Sequence, residues 1–221
     1  MKISNSTLGV LRNFSDINQN ILFKTGSTLS TMSTMKTIMA RAVVKEQFEQ
    51  EFGVYDLPEF LRALDCFISP VLKFNGTSNL KIKDEKTTLT ARYAFAEKST
   101  LVLPQKEVTM PDKTVSFTLK NSDYESVKKL YTNLNLPDIA FKGENGKINL
   151  VALDKKNSNS NISSINVGET NLEFTAYIKV ENMKLIPGDY DVALSKMKIA
   201  HFINKKVNVQ YWIALEADSK F

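Results

Sequence analysis

The 221-residue chain is 43% hydrophobic and 24% charged, an ordinary globular composition with enough apolar side chains for a packed core. Its 29 lysines and arginines exceed its 24 acidic residues, and the net charge of +5 permits an anionic partner without requiring one. The single cysteine, Cys66, excludes an intramolecular disulfide and agrees with a reducing cytosol. No apolar run approaches the roughly 20 residues that cross a bilayer, so no membrane partner is expected.

The first predicted elements are a helix and two strands. Ser4–Asn18 has an apolar stripe at helical spacing, and Arg12 points almost directly away from it. The residues of this stripe are Val10, Leu11, Phe14 and Ile17. Ile21–Val44 alternates loosely and is rich in threonine, isoleucine, valine and methionine, which predicts two strands with a turn near Lys24–Thr28.

A second helix is predicted to begin at Asp56. Asp56 can cap the helix, proline is tolerated in the first turn, and Glu59 lies where a capping box has its acidic residue. Pro70 is expected to end this helix, and its apolar stripe consists of Leu57, Phe60, Leu61, Leu64 and Ile68. Asn75-Gly76 is a strong hairpin signal because both residues accept positive φ. The strands expected around it are Val71–Phe74, Leu80–Lys83 and Thr88–Phe95.

The middle of the chain is an apolar segment broken by two prolines. Ser99–Pro111 reads STLVLPQKEVTMP and shows neither a two-residue alternation nor a helical stripe. We interpret it as an extended connector.

The pattern of the first half is then repeated. Val115–Leu119 is a predicted strand, and Ser122-Asp123-Tyr124-Glu125 is a capping box that opens a long helix. Lys129 points away from the apolar stripe of this helix, which consists of Tyr124, Val127, Leu130, Tyr131 and Leu134. Lys155–Ser164 is predicted as a polar loop or the tip of a long hairpin, and Glu181–Leu185 as one turn of helix before Pro187-Gly188. The predicted strands are Asp138–Phe141, Lys147–Leu153, Asn171–Val180, Tyr190–Ser195, Lys198–Ile203 and Val207–Leu215.

The two halves therefore share an order of elements: a helix with an outward basic residue, a hairpin with a further strand, a shorter helix, and a three-strand meander. This repetition predicts two similar α+β domains of ordinary size. The expected boundaries are 1–98 for the N-terminal domain, 99–113 for the connector and 114–221 for the C-terminal domain.

The residues offer little chemistry. His201 lies in an alternating strand and is interpreted as a strand histidine at a sheet surface, and Cys66 lies on the back of the second helix without a basic cluster to activate it. One histidine and one cysteine do not make a zinc site without several carboxylates. Asp56 and Glu59 are a helix cap rather than an acid and base pair. We therefore expect no enzyme, no cofactor and no metal.

The basic residues are more informative. Arg12 and Lys129 occupy equivalent places on the long helix of each half, and four further cations lie on or beside the helices: Lys2, Arg62, Lys128 and Lys184. A solvated helix face explains any one of them. Lysines and arginines without interleaved aromatic residues suit contacts to phosphate rather than base readout or single-strand stacking.

Five stretches of the chain resemble one family. They are MKISNSTLGVLRNFSDINQNILFKTG, YDLPEFL at Tyr55–Leu61, the connector STLVLPQKEVTMP, NMKLIPGDY at Asn182–Tyr190 and YWIALEADSKF at Tyr211–Phe221. In their order and spacing the chain resembles the DNA polymerase sliding clamps of T-even-type tailed phages, a family grouped with proliferating cell nuclear antigen (PCNA) and the bacterial β clamp. The resemblance covers essentially the whole chain.

The resemblance implies a DNA clamp fold of two similar domains. Three chains would form a ring in which sheets build the outer wall and helices line the hole. The channel residues that would meet double-stranded DNA, independently of sequence, are Lys2, Arg12, Arg62, Lys128, Lys129 and Lys184. The clamp itself would not be catalytic, and an ATP-dependent clamp loader would open and close it. The implied location is the cytoplasm of the infected bacterial host.

The resemblance also gives the connector a role. In this family the connector runs over a hydrophobic pocket that takes a short peptide from the DNA polymerase or another DNA-processing partner, and exposed apolar patches tend to mark such sites. Trp212 is the expected anchor because aromatic residues dominate peptide pockets. The full predicted pocket is Leu101, Val102 and Met110 of the connector with Trp212, Ala214, Leu215 and Phe221.

Two alternatives remain open. A structural β-rich component of a phage particle would suit the strand content and the missing catalytic set, although capped helices with basic backs do not favour it. An unrecognised enzyme is the other alternative, and no sequence feature supports it.

Overall fold

The computed structural model describes residues 1–104 and 108–221, so Gln105–Glu107 of the predicted connector lie outside the described residues. The chain divides into two compact units, Met1–Lys106 and Glu107–Phe221, called the N-terminal unit and the C-terminal unit below. Strands predominate in both units, which confirms the α+β class. Within the described ranges, no helix is both long enough and apolar enough to cross a membrane.

The N-terminal unit contains two helices and three groups of antiparallel strands. Strand β1 pairs with β4, β2 pairs with β3, and β5, β6 and β7 form a three-stranded sheet in that order. The elements are α1 (Asn5–Ile17), β1 (Ile21–Phe23), β2 (Gly26–Met32), β3 (Ile38–Phe48), β4 (Phe52–Val54), α2 (Leu57–Asp65), β5 (Pro70–Asn75), β6 (Asn79–Asp84) and β7 (Thr90–Ala94).

The C-terminal unit contains one long helix and two antiparallel sheets. One sheet has the strand order β11-β10-β9-β12, and the other has the order β8-β13-β14-β15. The elements are β8 (Val115–Leu119), α3 (Asn121–Asn133), β9 (Asp138–Glu144), β10 (Lys147–Leu153), β11 (Ser163–Glu169), β12 (Phe174–Lys179), β13 (Tyr190–Ser195), β14 (Ile199–Asn204) and β15 (Val209–Ala214).

The order of elements repeats between the units. In each unit a long helix is followed by four strands, a shorter helical segment and three strands. In the C-terminal unit the shorter segment is a 3₁₀ turn at Val180–Asn182, and strand β8 precedes the repeat. The predicted duplication is thus present, with four strands after the long helix where the sequence predicted three.

Local sequence signals fix two of the helix starts. Ser4 caps α1, where its Oγ accepts a hydrogen bond from the Thr7 amide at 3.3 Å. Asp56 caps α2, where its Oδ1 accepts from the Glu59 amide at 2.7 Å. The predicted cap at Asp56 is confirmed, and the cap at Ser4 is an addition from the structure; each stabilises its helix by about 1 kcal/mol.

The prediction of two strands in Ile21–Val44 was wrong. Three strands begin in this range, the tight turn lies at residues 33–37, and the last strand continues to Phe48. The short first strand, β1, pairs with β4 more than thirty residues later in the chain. A long-range partner of this kind leaves no signal in the local alternation of residues.

The helix stripes were predicted too long at their ends. Ile68 is 74% exposed because α2 ends at Asp65, before the turn that leads to Pro70, the first residue of β5. On α3, Leu130 and Leu134 are exposed, whereas Tyr124, Val127 and Tyr131 are buried.

The predicted capping box of α3 was also wrong. The helix begins at Asn121, and its flanking residue Lys120 makes no side-chain cap. Instead, Asp189 Oδ1 accepts from the Asn121 amide at 2.8 Å, and Asn121 Oδ1 accepts from the Gly188 amide at 2.7 Å. A distant loop therefore supplies the acceptor that the sequence assigned to Ser122.

Other differences lie in irregular segments. The connector starts with a 3₁₀ turn at Lys98–Thr100, and its described part continues without regular structure. The polar loop after β10 ends where β11 begins at Ser163, and β12 begins at Phe174, later than the predicted Asn171.

Each unit has an aromatic core. In the N-terminal unit the Phe23 ring stacks on Phe52 with centroids 4.4 Å apart and also contacts Phe48 at 5.0 Å. In the C-terminal unit Phe141 lies 5.1 Å from Phe117 and 6.3 Å from Phe202. These rings join the apolar faces of neighbouring strands within each unit.

We predict that Gly143→Ala destabilises the C-terminal unit by about 1–3 kcal/mol through overpacking. A Cβ at this position of β9 would lie 2.3 Å from the Leu172 carbonyl oxygen and 2.4 Å from the Phe174 ring. The matched change Gly9→Ala on the exposed face of α1 meets no atom within 4 Å and should stabilise its helix by about 0.5–1 kcal/mol. Urea unfolding of the two variants measures both stability changes. An unchanged urea midpoint for Gly143→Ala would contradict the predicted overpacking.

Candidate functional site

The two long helices present basic residues on comparable positions. Thr7, Val10 and Phe14 are buried on α1, and the buried residues of α3 have the same spacing of three and then four: Tyr124, Val127 and Tyr131. When these positions are matched, Arg12 coincides with Lys129, and both side chains are exposed. The burial pattern therefore supports the equivalence that the sequence suggested for these two cations.

The N-terminal unit brings three predicted channel residues near its helices. Arg12 Nη2 bonds to Asp65 Oδ1 at 2.7 Å, which ties α1 to the last residue of α2. Arg62 is exposed on α2, three residues before Asp65, and residues at this spacing are neighbours on a helix surface. Lys2, just before α1, forms an ion pair with Glu85.

The C-terminal unit places the other three on and beside α3. Lys128 and Lys129 are on the helix itself, and Lys184 is exposed after the 3₁₀ turn. Tyr124 Oη donates to the Met183 carbonyl at 3.1 Å, which holds the residue preceding Lys184 against α3.

Carboxylates pair with Lys2, Arg12 and Lys128 among the predicted channel cations. Besides the pairs of Lys2 and Arg12, Lys128 Nζ lies 3.5 Å from Glu125 Oε1. The Lys2 ammonium, by its hydrogen bond, holds the pKa of the Glu85 carboxyl below its usual range. These pairs are largely exposed, so each contributes little to stability. Their effect is to reduce the positive charge that these helix faces offer to an anion.

The connector is held by two side chains that sequence reasoning missed. Asn18 Nδ2 donates to the Val102 carbonyl at 3.0 Å, and Asn20 Oδ1 accepts from the Val102 amide at 3.0 Å. Asn18 is also the residue that ends α1. The sequence therefore indicated a helix end at Asn18 and gave no sign of its contact with the connector. The predicted pocket residue Leu101 is buried beside Gly53, whereas the Val102 side chain is 36% exposed.

The predicted anchor Trp212 is buried, whereas a residue on the wall of an open pocket would be exposed to solvent. It lies on β15 with 7% exposure, and its ring stacks on His201 of β14 at 4.6 Å with an 11° angle between the planes. Ala214 is half-buried and Leu215 is buried. Met110, in the irregular segment before β8, is half-buried.

His201 lies on strand β14, as the sequence predicted, but it is only 8% exposed. Its Nε2 lies 3.0 Å from Gln210 Oε1, and burial lowers the pKa of the imidazole, so the ring is neutral at pH 7. In the described part of the chain, His201 Nδ1 and Trp212 Nε1 are buried without a hydrogen-bond partner.

An open cavity of 520 Å³ lies on the same sheet of the C-terminal unit as this stack. Its lining residues are Lys113, Ser116, Phe117, Thr118, Asp191, Val192, Ala193, His201, Ile203 and Lys205. His201 therefore lines this cavity and also stacks on Trp212.

Phe221 lies elsewhere in the C-terminal unit. Its ring stacks on Phe174 of β12, with centroids 5.8 Å apart, and remains 37% exposed.

The structure is similar to solved clamp structures. Over 96% of this chain and 95% of that chain, the fold superposes with a TM-score of 0.71 on PCNA in the structure of the C-terminal region of FEN-1 bound to A. fulgidus PCNA, at 12% sequence identity. The fold is therefore the DNA clamp fold, as the resemblance implied.

Sequence comparison identifies the family. A family model for the C-terminal part of the gp45 sliding clamp matches residues 116–217. The sliding clamp of Vibrio phage KVP40 is 36% identical over 98% of this chain and 100% of that protein. The sliding clamp of Escherichia phage RB69 is 30% identical over 99% of this chain and 98% of that protein. The chain belongs to the phage sliding clamp family, and the comparisons do not support the alternative of a structural component of the phage particle.

We predict that Asp65→Asn strengthens binding to duplex DNA by freeing the Arg12 guanidinium. Each additional phosphate contact should steepen the dependence of log K on log salt by about 0.9. Fluorescence anisotropy with a labelled duplex at several salt concentrations measures both quantities. Glu49→Gln removes the same charge from the turn after β3 and is the control. Identical salt slopes for the two variants would show that Asp65 does not weaken the contact of Arg12 with phosphate.

Proposed function

We propose that three copies of this chain close into a ring around duplex DNA and tether the DNA polymerase, which makes synthesis processive. The observation that carries the proposal is the matched burial of α1 and α3, which leaves Arg12 and Lys129 on equivalent outward faces. Helices that pack one face on a sheet and present cations on the other suit a surface that meets phosphates without reading bases. The full-length likeness to sliding clamps named above supports the same function.

Two strand edges that are unpaired within residues 1–104 and 108–221 support ring formation. Strand β7 is an outer strand of the β5-β6-β7 sheet, and β11 is an outer strand of its own sheet in the other unit. Unpaired edges are templates for pairing with another chain. When the edge β7 of one copy pairs with β11 of the next, the contact is heterologous, and such contacts form rings if the rotation closes.

The ring would hold DNA by topology more than by affinity. Contacts from exposed lysines and arginines to phosphate are independent of sequence and weaken with salt. The carboxylates that pair with Lys2, Arg12 and Lys128 keep these contacts weak, which favours sliding over tight binding. On this proposal the chain has no catalytic role, and an ATP-dependent clamp loader opens and closes the ring.

The proposed partner site lies at the connector, residues 99–113, between domains 1–98 and 114–221. A partner peptide would contact the apolar residues assigned from the resemblance: Leu101, Val102, Met110, Trp212, Ala214, Leu215 and Phe221. The solved A. fulgidus PCNA carries a bound region of FEN-1, which supports peptide recruitment as the general mode. Because the relatives come from phages, the proposed location is the cytoplasm of the infected bacterium.

The first test is the mass in solution. Light scattering across a dilution series should find a species of about 75 kDa, three times the 24.9 kDa of one chain, that dissociates on dilution. Retention on circular DNA and loss on linearisation should follow. A protein that stays monomeric at high concentration would remove the topological mechanism.

The second test is charge reversal on the helices. Arg12→Glu with Lys129→Glu should leave the ring assembled and reduce its retention on circular DNA and DNA-dependent processivity, because attractive phosphate contacts become repulsive. The matched control, Lys73→Glu with Lys206→Glu, makes the same charge change outside the helices, one residue in each unit. Unchanged processivity in the helix variant would exclude these two residues from the channel.

The third test addresses the partner site. Trp212→Ala should weaken capture of the phage DNA polymerase while sparing ring assembly, since the indole is the largest apolar group assigned to the site. Because Trp212 is buried, the thermal midpoint must be measured in parallel, and Val102→Ser removes exposed apolar surface without opening the core. Normal polymerase capture by both folded variants would place the site elsewhere.

A further inference from the structure

The segment 216–221 covers the outer edge of β12 with a turn at Ala217–Asp218, followed by an isolated bridge between Lys220 and Thr175. The Thr175 amide donates to the Lys220 carbonyl at 2.9 Å, and the Lys220 amide donates to the Thr175 carbonyl at 2.8 Å. The Glu216 amide donates to the Tyr177 carbonyl at 2.9 Å, and the Tyr177 amide donates to Ser219 Oγ at 2.9 Å. The segment thus satisfies backbone groups that the edge strand would otherwise leave unpaired.

Acidic and aromatic side chains complete this contact. Lys155 Nζ bonds to Asp218 Oδ1 at 2.8 Å and to Glu216 Oε2 at 3.3 Å. Three residues beyond Asp218, the Phe221 ring stacks on Phe174 with an angle of 4° between the planes. Lys198 donates to the Ser219 carbonyl and lies 5.9 Å from the centre of the Phe221 ring.

The segment is bound in a way that permits release. Apart from the buried Ser219, its contacts are a few hydrogen bonds, the ion pairs of Glu216 and Asp218 with Lys155, and a ring that keeps more than a third of its area exposed. Short segments with few buried apolar contacts belong to the low-stability end of a fold. The segment stays in place because β15 delivers it directly to the site, at an effective concentration on the order of millimolar.

We propose that the edge of β12 is a docking site for a partner peptide in which an acidic residue precedes an aromatic residue by three positions, and that the segment 216–221 is its resident, displaceable occupant. A peptide that bonds to a sheet edge gains affinity from main-chain hydrogen bonds and specificity from side-chain contacts. Here Thr175 and Tyr177 supply the main-chain groups, Phe174 receives the aromatic ring, and Lys155 receives the carboxylate. Only the class of partner, a protein recruited by a clamp, rests on the proposed function.

The test uses the full-length chain and a labelled synthetic peptide, ALEADSKF, the sequence of Ala214–Phe221. The double variant Asp218→Ala with Phe221→Ala should undock its own segment and bind this peptide at least tenfold more tightly than the wild-type chain, by fluorescence anisotropy. Lys220→Ala is the control, because its exposed side chain makes no contact on which the proposal depends, and it should behave as the wild type. Equal affinities of the double variant and the wild type overturn the proposal.

Two further measurements locate the peptide. Adding Lys155→Met to the double variant should remove most of the gain, and a peptide with alanine in place of its phenylalanine should bind no better than a scrambled sequence. Binding that ignores both changes would place the peptide away from β12 and overturn the assignment.

Hydrogen exchange on the wild-type chain gives a check that depends on no variant. The Thr175 and Tyr177 amides should exchange many times faster than amides of the central strand β9, since release of the segment exposes them. Equal protection would show that the segment is not displaceable. If the peptide fails to bind while the wild-type chain is retained on circular DNA, this inference fails and the proposed function stands. If the peptide binds but the wild-type chain is not retained on circular DNA, the proposed function fails and the docking site on β12 stands.

Discussion

The constraint on which the structure depends is that each long helix buries one face only. On α1 and α3 the buried residues repeat at intervals of three and four, so the remaining surface of each helix faces away from the apolar core of its unit. That surface is where the chain carries Arg12 and Lys129. Packing of the helices thus determines which of their faces carries the positive charge. Because the order of elements is duplicated, each unit has one such basic helix face.

The charge displayed in this way is moderated by neighbouring carboxylates. Asp65, Glu85 and Glu125 each lie against one of the cations assigned to the channel. Because these pairs are exposed, they stabilise the fold little, and a cation must exchange its carboxylate for a phosphate before it can hold DNA. An encircling protein that must move along its substrate benefits from contacts that are easily made and easily lost.

Sequence reasoning succeeded where the determining interactions are local. The cap at Asp56, the hairpin at Asn75-Gly76 and the outward position of Arg12 all follow from residues that are close together in the sequence. The family resemblance supplied the clamp fold, which periodicity alone did not. The candidate site was therefore predictable as a set of basic helix faces, while its assembly into a channel is a proposal.

Sequence reasoning failed where distant residues decide the outcome. Asp189 caps α3 from a later loop, which overrides the capping-box pattern at Ser122. The hydrogen bonds of Asn18 and Asn20 with Val102 of the connector join residues more than eighty positions apart. Strand β11 alternates between half-buried and exposed residues, so its serine-rich start read as the end of a loop. No pattern within a short window encodes such partners.

The two open strand edges have a consequence for direction. In the proposed ring each contact joins β7 of one copy to β11 of the next, so every copy points the same way around. Such a ring has two unlike faces. The three copies of any one partner site would then lie on the same face, and a protein bound there would travel either ahead of the ring or behind it, according to which way the ring was threaded onto the duplex. Orientation at loading would thus be preserved for as long as the ring stays closed.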